Sequence, residues 1–236
     1  MFCLGNWSIG HGNVEYNDYV LHSTALVHTD KVRDLGVTFS KNLKFSDHCF
    51  IIARKAQFVA SKILRCFVSK DPCFLTKLFK VFVRPILEYN SPVWNPYLIK
   101  DIDHLERVQR RFTKYSHGCS GLTYKQRLDK LNLESLEYRR LVFDLVLMYR
   151  IVYGKIALKF VDYFTFAPSV GTRGHRLKVS LPAFRTVQQQ NSFFCRVPKI
   201  WNYLPPDVVE SRSVNSFKSS LASADLTIYL RGNAVR

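Results

Sequence analysis

The sequence predicts a mainly α-helical protein with a short β hairpin at the N-terminus and a small α+β subdomain at the C-terminus. Apolar residues recur with a helical period from about Ser46 to Tyr153. Before them, residues 1–40 are rich in glycine, asparagine and β-branched residues, which favour short strands and turns. The chain has 236 residues, 47% of them apolar, including 18 phenylalanines. This is enough to bury a hydrophobic core, so a folded protein is expected.

The N-terminal part contains two candidate strand segments, Asp18–Leu26 and Arg33–Phe39, which are interpreted as short strands or a hairpin. The first long helix is predicted from Ser46. Its apolar stripe consists of Ile52, Ala56, Val59, Ile63 and Phe67. Basic residues lie away from this stripe: Arg54, Lys62 and Arg65.

A second helix is predicted after Asp71, which has the side chain of an N-cap and is followed by Pro72 at the first helical position. The residues expected to be buried are Leu75, Leu78, Phe79, Phe82 and Ile86. The basic residues expected to face outward are Lys77, Lys80 and Arg84. Pro85 is expected to kink or end this helix.

A third helix is predicted to begin with Asp101 or Asp103 as its N-cap and to run to about Tyr115. One side of it is apolar, with Leu105, Val108, Phe112 and Tyr115. The opposite side is basic, with Arg107, Arg110, Arg111 and Lys114. Glu106 is expected to pair with Arg110 four residues later.

The remaining elements are weaker in pattern. Helices are predicted over Tyr124–Leu131, Glu134–Tyr153, Asn191–Tyr203 and Ser213–Ala222. Arg176–Leu181 and Phe184–Val187 are expected to pair as a small ribbon, and the last ten residues are expected to fray. Three parts follow: a β element at 1–45, a basic helical domain at 46–160 and an accessory subdomain at 161–236.

The formal net charge of +17 is concentrated in the middle of the chain, where residues 41–160 carry 23 basic and 10 acidic side chains. Such an excess on helices favours nucleic acid as a partner. No signal peptide or membrane span is evident, and the six cysteines lack paired spacing. We therefore expect an intracellular protein, nuclear or cytoplasmic and not secreted, without a metal site, a nucleophile motif or a small-molecule substrate.

Several segments together resemble one family. They are KVRDLGVTFSKNLKFSDH at 31–48, VFVRPILEYNSPVWNP at 81–96, LERVQRRFTK at 105–114, YKQRLDKLNLESLEYRRLVFDL at 124–145, TRGHRLKV at 172–179 and FFCRVPKIWNYLP at 193–205. Their order and spacing resemble the segment after the catalytic palm in reverse transcriptases of jockey-like non-LTR (LINE-type) retrotransposons. In that family the segment includes the polymerase thumb, which holds template and primer, so the resemblance implies a helical thumb-like bundle.

The family's catalytic carboxylates are not recognised here. They include a pair of adjacent aspartates, and this chain has no two adjacent acidic residues. They are expected to lie before Met1, so the chain is not expected to be an enzyme on its own. Mg²⁺ would serve only an intact parent RNA-directed DNA polymerase, because its ions must be held by converging carboxylates.

The candidate binding residues are basic and lie on two predicted helices: Lys77, Lys80, Arg84, Arg107, Arg110, Arg111 and Lys114. Such groups grip phosphates without reading bases, which suits an RNA or RNA–DNA duplex of any sequence. A merely solvated helix face is the alternative. Trp94 is a candidate for stacking on a base, but a plug between two helices is the preferred interpretation.

Two further clusters leave alternatives open. Arg173, His175, Arg176 and Lys178 are interpreted either as a second nucleic-acid contact or as an ordinary surface ribbon. The whole module has two rivals to nucleic-acid binding. One is a helical protein-interaction module, and the other is a basic module recruited to acidic membrane surfaces, which the spread of charge over several helices disfavours.

Overall fold

The computed structural model describes residues 20–21, 24–25, 29–168 and 174–232, and within them the protein is mainly helical. Two antiparallel strand pairs lie near the N-terminus. They are β1 (Val20–Leu21) with β2 (Thr24–Ala25), and β3 (Lys31–Asp34) with β4 (Val37–Ser40). The predicted mainly α fold with an N-terminal hairpin is therefore confirmed. The other residues of the predicted strand segment Asp18–Leu26 lie outside the described residues.

The β3–β4 hairpin is closed by a two-residue turn. Leu35 and Gly36 both have positive φ, at 44° and 84°, which is the backbone of the turn that best matches the twist of the flanking strands. Asp34 pairs with Val37, and Val37 is buried with 1% exposure against the first helix. The hairpin is thereby attached to the helical core.

The helical part begins with α1 (Ser46–Cys66) and α2 (Pro72–Leu78). Asp71 caps α2 as predicted, since its Oδ2 accepts the Phe74 amide at 2.7 Å. A single π-helical turn (Phe79–Val83) joins α2 to α3 (Arg84–Glu88), and the short α4 (Ser91–Trp94) follows. The helical stretch continues past Pro85, which is the second residue of α3, so Pro85 does not end it, and the alternative of a kink stays a prediction.

Because of the π-helical turn, the residues buried along this stretch differ from the predicted stripe. A π turn contains one residue more than an α turn, so the residues after it rotate around the helix axis. Val83 and Leu87 are consequently fully buried, whereas Phe82 is 54% exposed. Leu78 and Ile86 are only partly buried. The predictions for Leu75 and Phe79 are confirmed, and the one for Phe82 is wrong.

The next helices are α5 (Ile99–Thr113), α6 (Tyr124–Leu131) and α7 (Leu136–Val152). The predicted cap of α5 is wrong, since Leu98 occupies that position in an extended conformation. Asp101 and Asp103 lie inside the helix. Tyr115 is exposed because α5 ends at Thr113 and the chain turns there, which moves this ring away from the apolar side.

The C-terminal part contains α8 (Val187–Gln190), α9 (Phe193–Trp201), α10 (Pro206–Val209) and α11 (Val214–Leu221), with single 3₁₀ turns at Phe160–Asp162 and Thr227–Tyr229. The predicted ribbon between Arg176–Leu181 and Phe184–Val187 is wrong. Val179 forms its β bridge with Phe166 instead. The side chain of Asn202 forms hydrogen bonds with the backbone amide and carbonyl of Val179, and α8 begins at Val187.

The end of the chain is held in place up to Gly232, so the prediction of a frayed tail is wrong for its described part. Leu230 is 9% exposed, and Glu137 accepts hydrogen bonds from the amides of Arg231 (2.7 Å) and Gly232 (3.0 Å). Residues 233–236 lie outside the described part of the chain. A carboxylate at the start of α7 thus anchors the C-terminal segment.

Two large hydrophobic cores meet at α7. The first core joins β4, α1, the α2–α3 stretch, α4 and α5 with Leu136 of α7. The second core joins the rest of α7, from Leu141 to Ile151, with α9, α10 and α11. The predicted division at residue 160 therefore does not coincide with the division between the cores, which falls within α7. No helix in the described ranges is both long and apolar enough to cross a lipid bilayer.

Candidate nucleic-acid interface

A groove runs between α1 and α5, which lie side by side and point in the same direction. Small residues on α1 allow the close approach, since Ala53, Ala56 and Ala60 are all buried. The helices are joined at their N-terminal ends, where the Ser46 hydroxyl donates to Asp101 Oδ2 at 2.6 Å. Two rigid helices therefore form the walls of this groove.

The groove has a volume of about 410 Å³, and arginine side chains lie among apolar and small polar groups in its lining. We call it the α1–α5 groove. Its lining residues are Ala53, Arg54, Gln57, Phe58, Ser61, Arg65, His104, Arg107, Val108 and Arg111. Four arginines are among these residues, two from each helix, and none of the lining residues is acidic. The groove is thus a concentrated positive site without an internal counter-charge.

The arginine heads on α5 are available for a ligand. Arg107 and Arg111 are exposed, and neither forms a hydrogen bond or ion pair with another residue in the described ranges. On α1, Arg54 lies over the ring of Phe50 at 5.5 Å, and Arg65 donates to the Ser61 carbonyl at 3.3 Å. These two contacts lie at the protein surface and are weak enough to be exchanged for a phosphate.

The predicted basic face of α5 divides into two. Arg110 is turned away from the groove and places its guanidinium 5.0 Å from the centre of the Tyr124 ring on α6. Lys114 is exposed at the C-terminal end of α5 but does not line the groove. Of the four basic residues predicted on this helix, the α1–α5 groove therefore contains only Arg107 and Arg111.

Glu106 does not pair with Arg110, so that prediction is wrong. Its side chain is completely buried and accepts hydrogen bonds from the Tyr124 hydroxyl and from the backbone amide of Leu136 at 3.0 Å. Burial raises the pKa of the Glu106 carboxyl, although these two hydrogen bonds act in the opposite direction. Because Glu106 is turned inward to the start of α7, it does not neutralise the groove.

The three basic residues of the α2–α3 stretch do not reach the α1–α5 groove. Lys77 is exposed, and Lys80 Nζ lies 3.5 Å from the carbonyl oxygen of Asn132. Arg84 lies 3.7 Å from Glu88, which also pairs with Arg139. Burial lowers the pKa of Arg84, and the charge of Arg139 adds to this shift. Arg84 therefore belongs to an internal ion cluster.

Trp94 is a structural plug. Its ring is fully buried, Nε1 donates to the Tyr89 carbonyl at 2.8 Å, and the ring packs edge-on against His48 at 5.0 Å. The interpretation of Trp94 as a plug between helices is confirmed. Its ring has no face open to a base, so the stacking role is excluded in this structure.

The second basic cluster, at residues 173–178, contains both buried and exposed side chains. His175 is buried with 3% exposure, and its Nε2 lies 3.0 Å from the Trp201 carbonyl. Burial lowers the pKa of His175, so the ring is a neutral part of the second core. Arg176 is exposed, while Arg173 lies outside the described residues.

Metal-ligating residues are scattered. In the part of the chain that the structure describes, no three His, Cys, Asp or Glu side chains are grouped closely enough to hold a metal ion. Five cysteines there are free thiols, namely Cys49, Cys66, Cys73, Cys119 and Cys195. Asp101 is used as an acceptor for Ser46, and Asp103 is a partly buried residue of α5.

Fold and groove together define a mainly helical protein with a basic surface groove. The chain is similar to an uncharacterized protein of Caenorhabditis elegans, with 27% identity over 129 residues. The match covers 53% of this chain and 65% of the length of the nematode protein. No protein-family model matches the chain, and no solved structure does.

Proposed function

We propose that the chain is a non-catalytic nucleic-acid-binding module, equivalent to the thumb region of a non-LTR retrotransposon reverse transcriptase. It binds an RNA or RNA–DNA duplex through phosphates, in the α1–α5 groove and without sequence preference. The observation that carries the proposal is the convergence of four arginines on a groove lined by no acidic residue. The resemblance of the sequence segments to that family supports it.

The chemistry of the groove suits a polyanion. A guanidinium group presents several donors in a fixed plane and forms short, charge-assisted hydrogen bonds to phosphate oxygens. Contacts of this kind fix the position of a nucleic acid but carry no base information. The two helices fix the backbone positions from which the four arginine side chains extend, which suits a ligand backbone of regular repeat. Neither a metal ion nor a small molecule is required for such binding.

The proposal is tested by removing the two unpaired arginines of α5, with Arg107→Gln and Arg111→Gln in one variant. A variant with Arg150→Gln and Arg212→Gln serves as the matched control, because both of these arginines are exposed, neither lines the groove and the charge change is the same. Affinity for a labelled RNA–DNA duplex is measured by fluorescence anisotropy between 50 and 200 mM salt.

We expect wild-type affinity to fall on the order of a hundredfold over this salt range if about four phosphates are contacted. The Arg107/Arg111 variant should bind more weakly by about tenfold or more. Its slope of log affinity against log salt should be smaller by about 1.8, since each lost phosphate contact removes about 0.9. The control should resemble wild type. Equal slopes for the two variants would contradict the proposal.

A helical protein-interaction module is the second candidate, and one observation favours it. Val81 and Phe82 lie next to each other on the π-helical turn with 62% and 54% exposure, which is an apolar surface that none of the described residues covers. Binding of a protein through that surface would hardly depend on salt, because it buries apolar area and not charge. The salt dependence of the affinity therefore separates the two candidates.

A further inference from the structure

The outer side of α1 carries a regular alternation of aromatic and basic residues. Phe50, Arg54, Phe58 and Lys62 are each four residues apart, which places them in one row along the helix. We call this row the α1 ladder. Its two rings are 49% and 56% exposed. Both the second and the third residue of the row line the α1–α5 groove.

Each ring of the ladder is covered by the next cation. The Arg54 guanidinium lies 5.5 Å from the centre of the Phe50 ring, and Lys62 Nζ lies 4.5 Å from that of Phe58. His104 of α5 also stacks on Phe50, at 5.5 Å with an interplanar angle of 24°. An aromatic face, a cation and a second flat ring therefore occur together at the edge of the arginine groove.

We propose that the α1 ladder stacks the unpaired bases of a single strand whose phosphates lie on the arginines of the α1–α5 groove. This inference rests on the proposed function, which places nucleic-acid phosphates in the groove, and adds an unpaired strand as a second ligand beside the duplex. Paired bases are enclosed in a duplex and expose no face, so only an unpaired strand makes use of Phe50 and Phe58. Stacking on a phenyl ring is tolerant of sequence, because every base has a flat face.

The energies favour this exchange. A base stacked on an aromatic side chain is bound more strongly than an exposed cation is held over the same ring. Arg54 and Lys62 have long, flexible side chains, so each can leave its ring and move to a phosphate when a base arrives. The base then gains the ring, and the cation gains a charged partner.

The spacing of the rings also fits a strand that is not stacked on itself. Phe50 and Phe58 are eight residues apart, which corresponds to about 12 Å along a helix that rises 1.5 Å per residue. Successive bases in a regular stack are only about 3.4 Å apart. The two rings therefore receive separate bases of an extended strand, with at least one nucleotide between them.

The test replaces both rings by an aliphatic side chain, Phe50→Leu with Phe58→Leu, which keeps the surface apolar but removes the flat faces. Phe82→Leu with Phe184→Leu is the matched control, since both rings are exposed and neither lines the groove. Anisotropy is measured with a 20-nucleotide oligouridine and with a 20-base-pair RNA–DNA duplex. Circular dichroism confirms that the variants are folded.

We expect the ladder variant to lose at least about tenfold in affinity for oligouridine, with an unchanged salt slope because no phosphate contact is removed. Its affinity for the duplex, and all affinities of the control, should stay at wild-type values. Unchanged affinity for oligouridine would overturn the ladder while leaving the duplex site intact. An equal loss for both probes would also overturn it, because the rings would then only shape the groove. If the wild-type protein bound neither the oligouridine nor the duplex, both proposals would be refuted.

Discussion

At the scale of single residues, His48 shows how burial fixes a protonation state. Its side chain has 2% exposure between the β3–β4 hairpin and Trp94, and the Thr38 amide donates to Nδ1 at 3.2 Å. A nitrogen that accepts a hydrogen bond carries no proton, so the ring is neutral. Burial, with a smaller contribution from the charge of Arg33, lowers the pKa of His48 from 6.5 to about 4.

This pKa shift makes stability depend on pH in a defined direction. Between pH 6.5 and about 4 the unfolded chain binds a proton at His48 that the native protein does not bind. The contribution of the neutral His48 ring to the free energy of unfolding is complete above pH 6.5, and it is lost as the pH falls from 6.5 towards 4. We expect His48→Gln to lose less stability on acidification than wild type does. The difference in the free energy of unfolding should be on the order of 1–2 kcal/mol after allowance for solvent screening.

The measurement is urea denaturation of wild type and His48→Gln at pH 7 and pH 4.5. His117→Gln is the control, because His117 is exposed. Parallel loss of stability on acidification in all three proteins would show that His48 does not contribute to the pH dependence.

Single residues also show what local sequence rules detect. Arg107 and Arg111 were identifiable as outward-facing cations, because their position follows from the period of α5 alone. Glu106 was assigned to Arg110 by the same local rule. Its actual partners, Tyr124 and the Leu136 amide, are 18 and 30 residues further along the chain, and no periodicity in α5 indicates them.

The helical period also predicts that Lys80 and Arg84 face a ligand, yet their side chains lie near the Asn132 carbonyl and the Glu88 carboxylate.

At the scale of elements, α7 and α9 are joined by a buried ion pair. Arg196 of α9 donates to Asp144 Oδ1 of α7 at 2.9 Å and also to the carbonyl of Pro92 at 2.9 Å. Asp144 has 1% exposure and accepts a further bond from Asn95 at 2.9 Å. One guanidinium thus connects the second core to the α4 region of the first.

We expect Asp144→Asn to destabilise the protein by about 3–5 kcal/mol, because Arg196, whose side chain is only 16% exposed, loses its counter-charge. Adding Arg196→Gln should recover part of this loss, since the double variant no longer contains the Arg196 guanidinium without its carboxylate partner. Urea denaturation of wild type, both single variants and the double variant gives the coupling energy of the pair. A coupling energy near zero would show that the pair does not join the two elements energetically.

Elements also differ in how far the sequence defines them. The limits of α6 agree with the prediction because Thr123 and Gln126 form a complete capping box at its start, which is a local signal. The π-helical turn was not predictable, since the stripe of α2 continues through it with normal α spacing. The ribbon predicted between Arg176–Leu181 and Phe184–Val187 is wrong because the side chain of Asn202 forms hydrogen bonds with the backbone of Val179. Asn202 follows α9 and lies 23 residues after Val179, so no local pattern indicates this contact. The period of α1 indicates that Arg54 and Arg65 face outward. Only the packing of α1 against α5 brings them close to Arg107 and Arg111, so the α1–α5 groove does not follow from the sequence.

At the scale of the whole molecule, α7 belongs to both hydrophobic cores. Leu136 at its first residue packs in the first core, and Leu141 to Ile151 pack in the second. The C-terminal segment returns to the start of this helix through Glu137. Neither core is complete without α7, so local unfolding of one core would expose apolar residues of the other.

This shared helix predicts that the two cores unfold together. Trp94 is fully buried in the first core and Trp201 in the second, so each can report on its own core. Two variants are needed, one retaining only Trp94 and one only Trp201, with the other two tryptophans, including Trp7, replaced by phenylalanine. In each variant, urea unfolding is followed by tryptophan fluorescence and by circular dichroism.

Within each variant we expect the fluorescence and dichroism midpoints to coincide, because a two-state protein gives the same transition with every probe. Comparing probes within one protein removes the destabilisation that each Trp→Phe replacement itself causes. If the Trp201 signal changed at a lower urea concentration than the helical signal of the same variant, the C-terminal core would unfold as a separate unit. The ion pair between Asp144 and Arg196 would then not suffice to couple it to the groove-bearing helices, and α7 would have to remain folded with its C-terminal apolar side exposed.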